Sequence, residues 1–258
     1  MLNQQFLEQL QSEFHLGKVH FAPTLSSTND LASDWLHAGC PDFSLIVANE
    51  QTKGKGRSGR RWYTNPESAL AFSLIITNLK LPTNLYNGLT STSLVQALSV
   101  FTRESIQIKW PNDILIGGKK VCGILIESSW SGDQMNGIIL GIGVNIFEDS
   151  LNIQEELRFP ASYLKRHSNA SFDRGIILRQ IIRHLVDFHG PELQDEILQS
   201  WNQHLAYKNL QVQALRHEGD LISGKLLGVS KKGLLEIQLP DSSIVEYNAN
   251  EIQKIRSA

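Results

Sequence analysis

IQIKWPNDILIGGKKVCGILIESSWSGDQMNGIILGIGVN, residues 106–145, is the stretch whose reading decides the fold. It breaks at turn residues into short apolar pieces: IQIKW (106–110), a Pro-Asn-Asp turn, a short ILI piece, KKVCGILIES (119–128) and NGIILGIGVN (136–145). Aliphatic and β-branched runs of this length read as strands, and Gly117-Gly118 is a two-residue hairpin turn between two of them. The stretch is a run of mostly antiparallel strands. Working outward, KVHFAP (18–23), FSLIVANE (43–50) and SALAFSLIIT (68–77) read as further strands, and SSTND (26–30) caps a helix that Gly39 ends. Leu85, Leu89, Leu94, Leu98 and Phe101 space a long helix, and Gly190-Pro191 separates helices at Ile176 to Phe188 and Glu192 to Leu205. From about residue 207 the texture changes to short pieces, LQVQAL, LISGKLLGV, GLLEIQL and SIVEYN, joined by Gly or Asp turns. The expectation is an α+β fold: a mixed, mostly antiparallel sheet with helices over residues 1–206, then a small C-terminal β-barrel domain over 207–258.

The strand 43–50 runs into QTKGKGRSGRRW (51–62), where Lys53, Lys55, Arg57, Arg60 and Arg61 crowd a segment holding Gly54, Gly56 and Gly59, with no acid between them. Glycines let the backbone approach a ligand closely and the cations suit phosphate, so the segment reads as a phosphate-handling loop. Alone, it reads equally well as a solvated basic loop or a nucleic-acid patch. Composition separates these. Lys plus Arg is 24 against 26 Asp plus Glu, a net charge of −2, so the global basic footprint of a nucleic-acid binder is missing and the positive charge is concentrated in one loop. Cys40 and Cys122 are the only cysteines, too few for a disulfide scaffold or a metal cluster, which fits a reducing compartment. The N-terminus has acids and helical spacing of Leu2, Phe6, Leu10 and Phe14 rather than the pattern of a signal peptide, and no apolar run is long enough to cross a bilayer. A soluble, cytoplasmic protein is expected.

KWPND (109–113) places Lys109 at a strand end, with Asn112 and Asp113 projecting from a turn fixed by Pro111. Asp113 reads as a turn cap or as an oxygen ligand for Mg²⁺. Lys119 and Lys120 open an apolar strand. Each reads as a solvated end or as a cation aimed into a pocket, and since neighbours on a strand point to opposite faces only one of the pair faces the pocket. GIGVN (141–145) contains G-x-G but lacks the third glycine of a dinucleotide fingerprint, so it reads as a strand whose backbone closely approaches a ligand, ending in Asn145. Cys122, in VCGILI with no histidine near it in sequence, reads as a small buried residue. His184 and His189, five apart, do not share a helix face at ligand spacing.

Together and in this order, SSTN, QTKGKGRSGRRW, KWPND, GKKVCGILIE and GIGVN closely resemble the biotin protein ligases, over about residues 20–147. The resemblance implies a class II synthetase-like catalytic domain, and a ligase without the N-terminal helix-turn-helix domain of the family's repressor members, so no DNA binding. It implies ATP and biotin as substrates with Mg²⁺, and a biotin carboxyl carrier protein whose lysine accepts the biotin; it also admits a homodimer. By motif match, Ser27, Thr28, Asn29, Gln51, Gly54, Lys55, Arg57, Lys120, Gly123 and Leu125 would line the biotin site. Arg57, Arg60, Trp62, Lys109, Asn112 and Asn145 would hold the nucleotide, with Trp62 stacked on adenine. Lys120, Arg57, Arg60 and Lys109 would neutralise moving negative charge, and Asp113 would meet the metal. Lys55 stands where the family commonly has arginine, so charge survives there without bidentate geometry. Two rival readings are a lipoate ligase or acyltransferase of related fold, and a nucleic-acid-binding protein using residues 51–61 as a basic arm.

Overall fold

The computed structural model describes residues 2–151 and 159–257. Alternating apolar runs set the frame. Strands β1 (Val19–Leu25), β2 (Ser44–Gln51), β3 (Ala69–Ile76), β4 (Ile106–Lys109), β5 (Asp113–Ile116), β6 (Lys119–Ser131) and β7 (Gln134–Asn145) form one seven-stranded sheet in the order β1-β2-β3-β7-β6-β5-β4. The β1–β2 pair is parallel and every other pair is antiparallel. Gly117 and Gly118, at φ 58° and 72°, make the tight β5–β6 hairpin that the sequence predicts.

Side-chain alternation assigns the two faces of the sheet. Val47, Phe72, Leu74, Leu140, Ile142 and Val144 pack into a large core with α1 (Gln4–Phe14), α3 (Leu85–Ser99), α4 (Arg174–Asp187) and α5 (Gln194–His204). Among the described residues, the helix on the opposite face is α2 (Thr28–His37), whose Ala32 and Leu36 meet Ile46, Ile75 and Ile139. Beyond the end of α2, this second face is lined by Ser73, Gly141, Gly143, Gly123 and Leu125, the residues that alternate with the core set. Small side chains there leave a trough between sheet and solvent. Residues at 27–28 close one end of it because Ser27 is the N-cap of α2, its Oγ accepting from the Asp30 amide.

The C-terminal segment forms a separate five-stranded antiparallel sheet, β8 (Gln211–Arg216), β9 (Leu221–Val229), β10 (Leu235–Gln238), β11 (Ile244–Tyr247) and β12 (Ile252–Ser257), in the order β11-β10-β9-β8-β12. Four of these strands are the four sequence pieces. The fifth, β12, follows a Pro-free polar stretch and returns to pair with β8, which leaves β11 and β12 as the two edges. Among the described residues, no helix is long and apolar enough to cross a membrane.

Candidate functional site

A pocket of about 100 Å³ lies in the trough beside α2 and opens into a wider cleft of about 690 Å³ beneath the C-terminal sheet. Ligand pockets of drug-sized molecules occupy ~300–1,000 Å³, so a large ligand must extend from the inner pocket into the cleft. Ser27, Thr28, Asn29, Gln51, Lys55, Arg57, Arg60, Trp62, Asn112, Asp113, Lys120, Gly123 and Leu125 all line the inner pocket. Three expected residues do not. Gly54 is buried under the Trp62 carbonyl, Lys109 lies beneath the ring of Phe159 with Nζ 3.4 Å from its centroid, and Asn145 turns its amide to the Ser162 carbonyl.

At the α2 end, amides and hydroxyls satisfy one another. Gln51 Oε1 accepts from the Thr28 amide at 2.8 Å and from Thr28 Oγ1 at 3.1 Å, and Gln51 Nε2 donates to Thr64 Oγ1 at 3.3 Å. Ser73 Oγ lies 2.6 Å from Asn29 Oδ1 and 2.8 Å from Thr28 Oγ1, while Asn29 Nδ2 donates to Glu127 Oε2 at 2.6 Å. Ser73 is wholly buried. The network fixes the orientation of each amide, so the polar atoms left facing the pocket are preset for one pattern of donors and acceptors. The signal for Ser73 was present in its alternation with Phe72 and Leu74, a lone hydroxyl on an otherwise apolar strand, but nothing local said what it would meet.

The other end is cationic. Asp113 Oδ1 lies 2.6 Å from Lys120 Nζ, an ion pair whose angle is too poor for a hydrogen bond. Arg57 and Lys109 also draw on Asp113, Arg60 stands exposed at the mouth, and Lys254 from the C-terminal sheet adds to the field. One carboxylate therefore faces four or five cations. Burial, opposed by Asp113, lowers the Lys109 ammonium to about 8. Burial also pushes the Arg57 guanidinium down, again against the pull of Asp113. Such a surplus is poised for an anion.

Lys120 lines the pocket and Lys119 does not, but strand alternation alone does not deliver that placement. Counting back from Gly123 by twos lands on Val121 and Lys119, whereas a bulge opposite Ile114 and Leu115 shifts the register and brings Lys120 onto the pocket face. A Cβ on Gly123 would lie 3.1 Å from Lys120 Nζ and 2.9 Å from the Trp62 ring. Gly143, paired directly opposite Gly123, also lies against the Trp62 ring, and Gly141 lies against the Asn29 amide. The close backbone approach read from GIGVN is thus an approach to the protein's own side chains. The Trp62 indole covers two glycines, and its buried Nε1 has no hydrogen-bond partner.

The basic loop folds back as a narrow hairpin: the Trp62 amide donates to the Gly54 carbonyl at 2.9 Å and the Gly56 amide to the Arg60 carbonyl at 2.8 Å. Lys55 pairs with Asp30 on α2. Arg57 reaches across the cleft, its Nη2 donating to the carbonyls of Ala249 and of Ile252, the latter at 3.3 Å, and its Nη1 to Asn112 Oδ1 at 3.4 Å. Asn112 is itself pinned to β6, exchanging hydrogen bonds with Ile124 at 2.9 Å through both side chain and backbone. These links to the C-terminal sheet and to β6 were not legible in the sequence. Cys122 is fully buried and its thiol is pushed up by burial, as a packing residue's would be.

Residues 21–145 match the Biotin/lipoate A/B protein ligase family, and residues 209–254 match the Biotin protein ligase C terminal domain. The chain is 29% identical over 238 residues to the bifunctional ligase/repressor BirA of Bacillus spizizenii, covering 89% of this chain and 72% of that protein. It is 35% identical over 119 residues to the biotin–(acetyl-CoA-carboxylase) ligase of Paracoccus denitrificans, covering 43% of this chain and 48% of that one. A solved structure of the biotin protein ligase from Aquifex aeolicus in complex with biotin and ATP aligns with a TM-score of 0.75 and 26% identity, covering 93% of this chain and 99% of that one.

Proposed function

We propose that this chain, which belongs to the biotin/lipoate A/B protein ligase family, activates biotin with ATP and transfers it to a lysine of a biotin carboxyl carrier protein. The observation that carries the chemistry is the division of one pocket into a satisfied amide and hydroxyl end and a cationic end with a single carboxylate. A carboxylate is a poor acyl electrophile. In the first step a biotin carboxylate oxygen attacks the α-phosphorus of ATP and pyrophosphate leaves, giving biotinyl-5'-adenylate. In the second, the carrier lysine amine attacks the acyl carbon and AMP leaves.

On this reading Ser27, Thr28, Asn29 and Gln51 hold the ureido ring, Gly123 and Leu125 offer backbone and a close wall to the tail, and Gly54, behind the wall, lets the Trp62 carbonyl and Gln51 pack closely. Lys55, paired with Asp30 at the rim, closes that side. Lys120 sits where charge moves during adenylation, and Arg57, Arg60 and Lys109 neutralise the phosphates. Trp62 supplies a face for adenine once it lifts from Gly143, with Asn112 beside the nucleotide and Asn145 behind it, tied to the Ser162 carbonyl. Mg²⁺ prefers one or two carboxylates plus substrate phosphates and keeps its waters. Asp113 as the lone acid suits an ion carried in on ATP, since no cluster of three ligating acids, histidines or cysteines occurs among the described residues. Residues 1–206 form the catalytic unit and 207–258 the C-terminal unit in this account. A cytoplasmic location follows from the carrier substrate. Neither DNA binding nor a homodimer is required by the chemistry, and sedimentation would measure the latter.

The test is direct. Incubated with ATP, biotin and a carrier domain, the protein should add the mass of one biotinyl group to one carrier lysine and release AMP. Modification with lipoate in place of biotin would support the lipoate ligase reading instead.

A further inference from the structure

A second polar chain lies behind the cationic end, on elements that the function described above does not use. Ser162 Oγ is 2.7 Å from His167 Nε2, and His167 Nδ1 is 2.9 Å from Glu104 Oε1. A carboxylate can only accept, so Nδ1 carries a proton toward Glu104, and Nε2 and the Ser162 hydroxyl share the second hydrogen bond. The order of groups is that of a nucleophilic triad. Ser162, however, is 1% exposed and lines none of the cavities described above, so no substrate reaches its hydroxyl.

The backbone of Ser162 shows what the relay holds. The Ser162 amide donates to the Lys120 carbonyl at 2.8 Å, and the Lys120 amide donates to the Pro160 carbonyl at 2.9 Å. Lys120 is thereby bridged on both sides to the segment 159–167. The Ser162 carbonyl accepts from Asn145 Nδ2 at 3.2 Å, and the Lys165 amide donates to the Ile146 carbonyl at 2.9 Å. One irregular strap therefore sets the backbone of Lys120, beside the bulge that turns its side chain into the pocket, and also the amide of Asn145. The strap is held by only these few backbone bonds and one short 3-10 turn, Leu164–His167, so side-chain links add to what fixes its place.

We propose that Glu104, His167 and Ser162 are positioning residues for adenylation: they lock the strap 159–167 and through it aim Lys120 and Asn145. Their effect reaches the reaction through Lys120, so the proposal rests on the adenylating role given to that residue. Removing the relay leaves biotin's α2-side partners untouched and displaces the cation needed as charge moves. A misplaced transition-state contact lowers kcat, whereas a contact shared by ground and transition states moves KM.

The experiment pairs a structural and a kinetic readout on His167→Phe, Ser162→Ala and His167→Gln. Hydrogen exchange should show the Lys120 and Ser162 amides losing protection in His167→Phe and Ser162→Ala while β2, β3 and α2 stay protected. Biotin-dependent exchange of pyrophosphate into ATP should fall about five- to tenfold in kcat, with KM for biotin unchanged. The double variant should be no worse than the worse single one, since both break the same chain. His167→Gln, whose amide oxygen reaches the Nε2 position, should recover most of both signals. Unchanged amide protection, or equal losses in kcat and biotin affinity, would overturn the relay. Loss of protection in the variants of a protein whose wild type supports no exchange would leave the relay standing and refute the adenylating role instead.

Discussion

At the α2 end of the pocket Thr28, Asn29, Gln51 and Ser73 hydrogen-bond one another, whereas at the β5 end Arg57, Arg60, Lys109 and Lys120 crowd one carboxylate. The first end is complete without ligand. The second carries like charges that repel in a partly buried setting and are relieved only by an anion. The contrast teaches how a single cavity can be rigid where it recognises a neutral ring and responsive where a polyanion must enter and leave. Preset dipoles give shape selection at low reorganisation cost, and surplus cations give charge stabilisation during transfer.

The contrast is sharpest at Lys120. Lys120→Ala should lower kcat for pyrophosphate exchange at least about 100-fold while leaving the dissociation constant of biotin within about threefold, as calorimetry would read it. Lys119→Ala should be close to wild type. Equal behaviour of the two variants would erase the distinction the β6 bulge makes.

Arg57 tests whether the cationic end depends on the C-terminal sheet. Its two carbonyl partners there are worth about 1 kcal/mol each, so Arg57→Gly should lower hydrogen-exchange protection of the loop and of residues 248–252 by roughly 5- to 30-fold. With the loop released, the reactive adenylate should escape and label lysines of a bystander protein such as albumin more than wild type does. A variant that makes adenylate and labels the bystander no more than wild type would confine Arg57 to binding.

Lys109 gives the contrast a pH dependence. Its ammonium, held down to about 8, is charged below that pH and neutral above it, so ATP affinity should fall as pH rises through 8, by up to about tenfold per unit. Lys109→Met should be weaker at pH 7 and show no such inflection. Folding responds with the opposite sign: between about 8 and the unfolded value of 10.5 the unfolded chain binds the extra proton, so this group adds stability to the apo protein as pH rises through that window.

The smallest effect belongs to the neutral end. Ser73→Ala removes one donor shared by Asn29 and Thr28 and should weaken biotin about fivefold, with kcat for exchange unchanged. A fall in kcat with biotin affinity intact would mean that the two ends are not separable.

Most of the scaffold was legible because it rests on local rules. Short apolar runs gave β1 to β7, Gly117-Gly118 gave the hairpin, and SSTND gave the start of α2. The ordered motifs gave most of the residues that converge on the pocket, together with Gly54, Lys109 and Asn145, which lie behind its wall. What escaped was set by tertiary register. The bulge that turns Lys120 inward needs the pairing with β5, Ser73 gains meaning only beneath α2, and β12 is a strand because β8 offers it an edge. Arg57's carbonyl partners and the chain from Glu104 to Ser162 lie 192 and 58 residues apart in sequence or more, beyond any local pattern. The glycines of GIGVN read as a place of close approach to a ligand, whereas the groups set against them here are the protein's own. Their partners, Trp62 and Asn29, required the fold.

Exchange of labelled pyrophosphate into ATP, run with biotin, with lipoate and with neither, tests the central claim most directly, since it isolates adenylation from the carrier. The account predicts exchange that requires biotin, is absent with lipoate and is suppressed in Lys120→Ala. Exchange supported equally by lipoate, or by no acid at all, would contradict it.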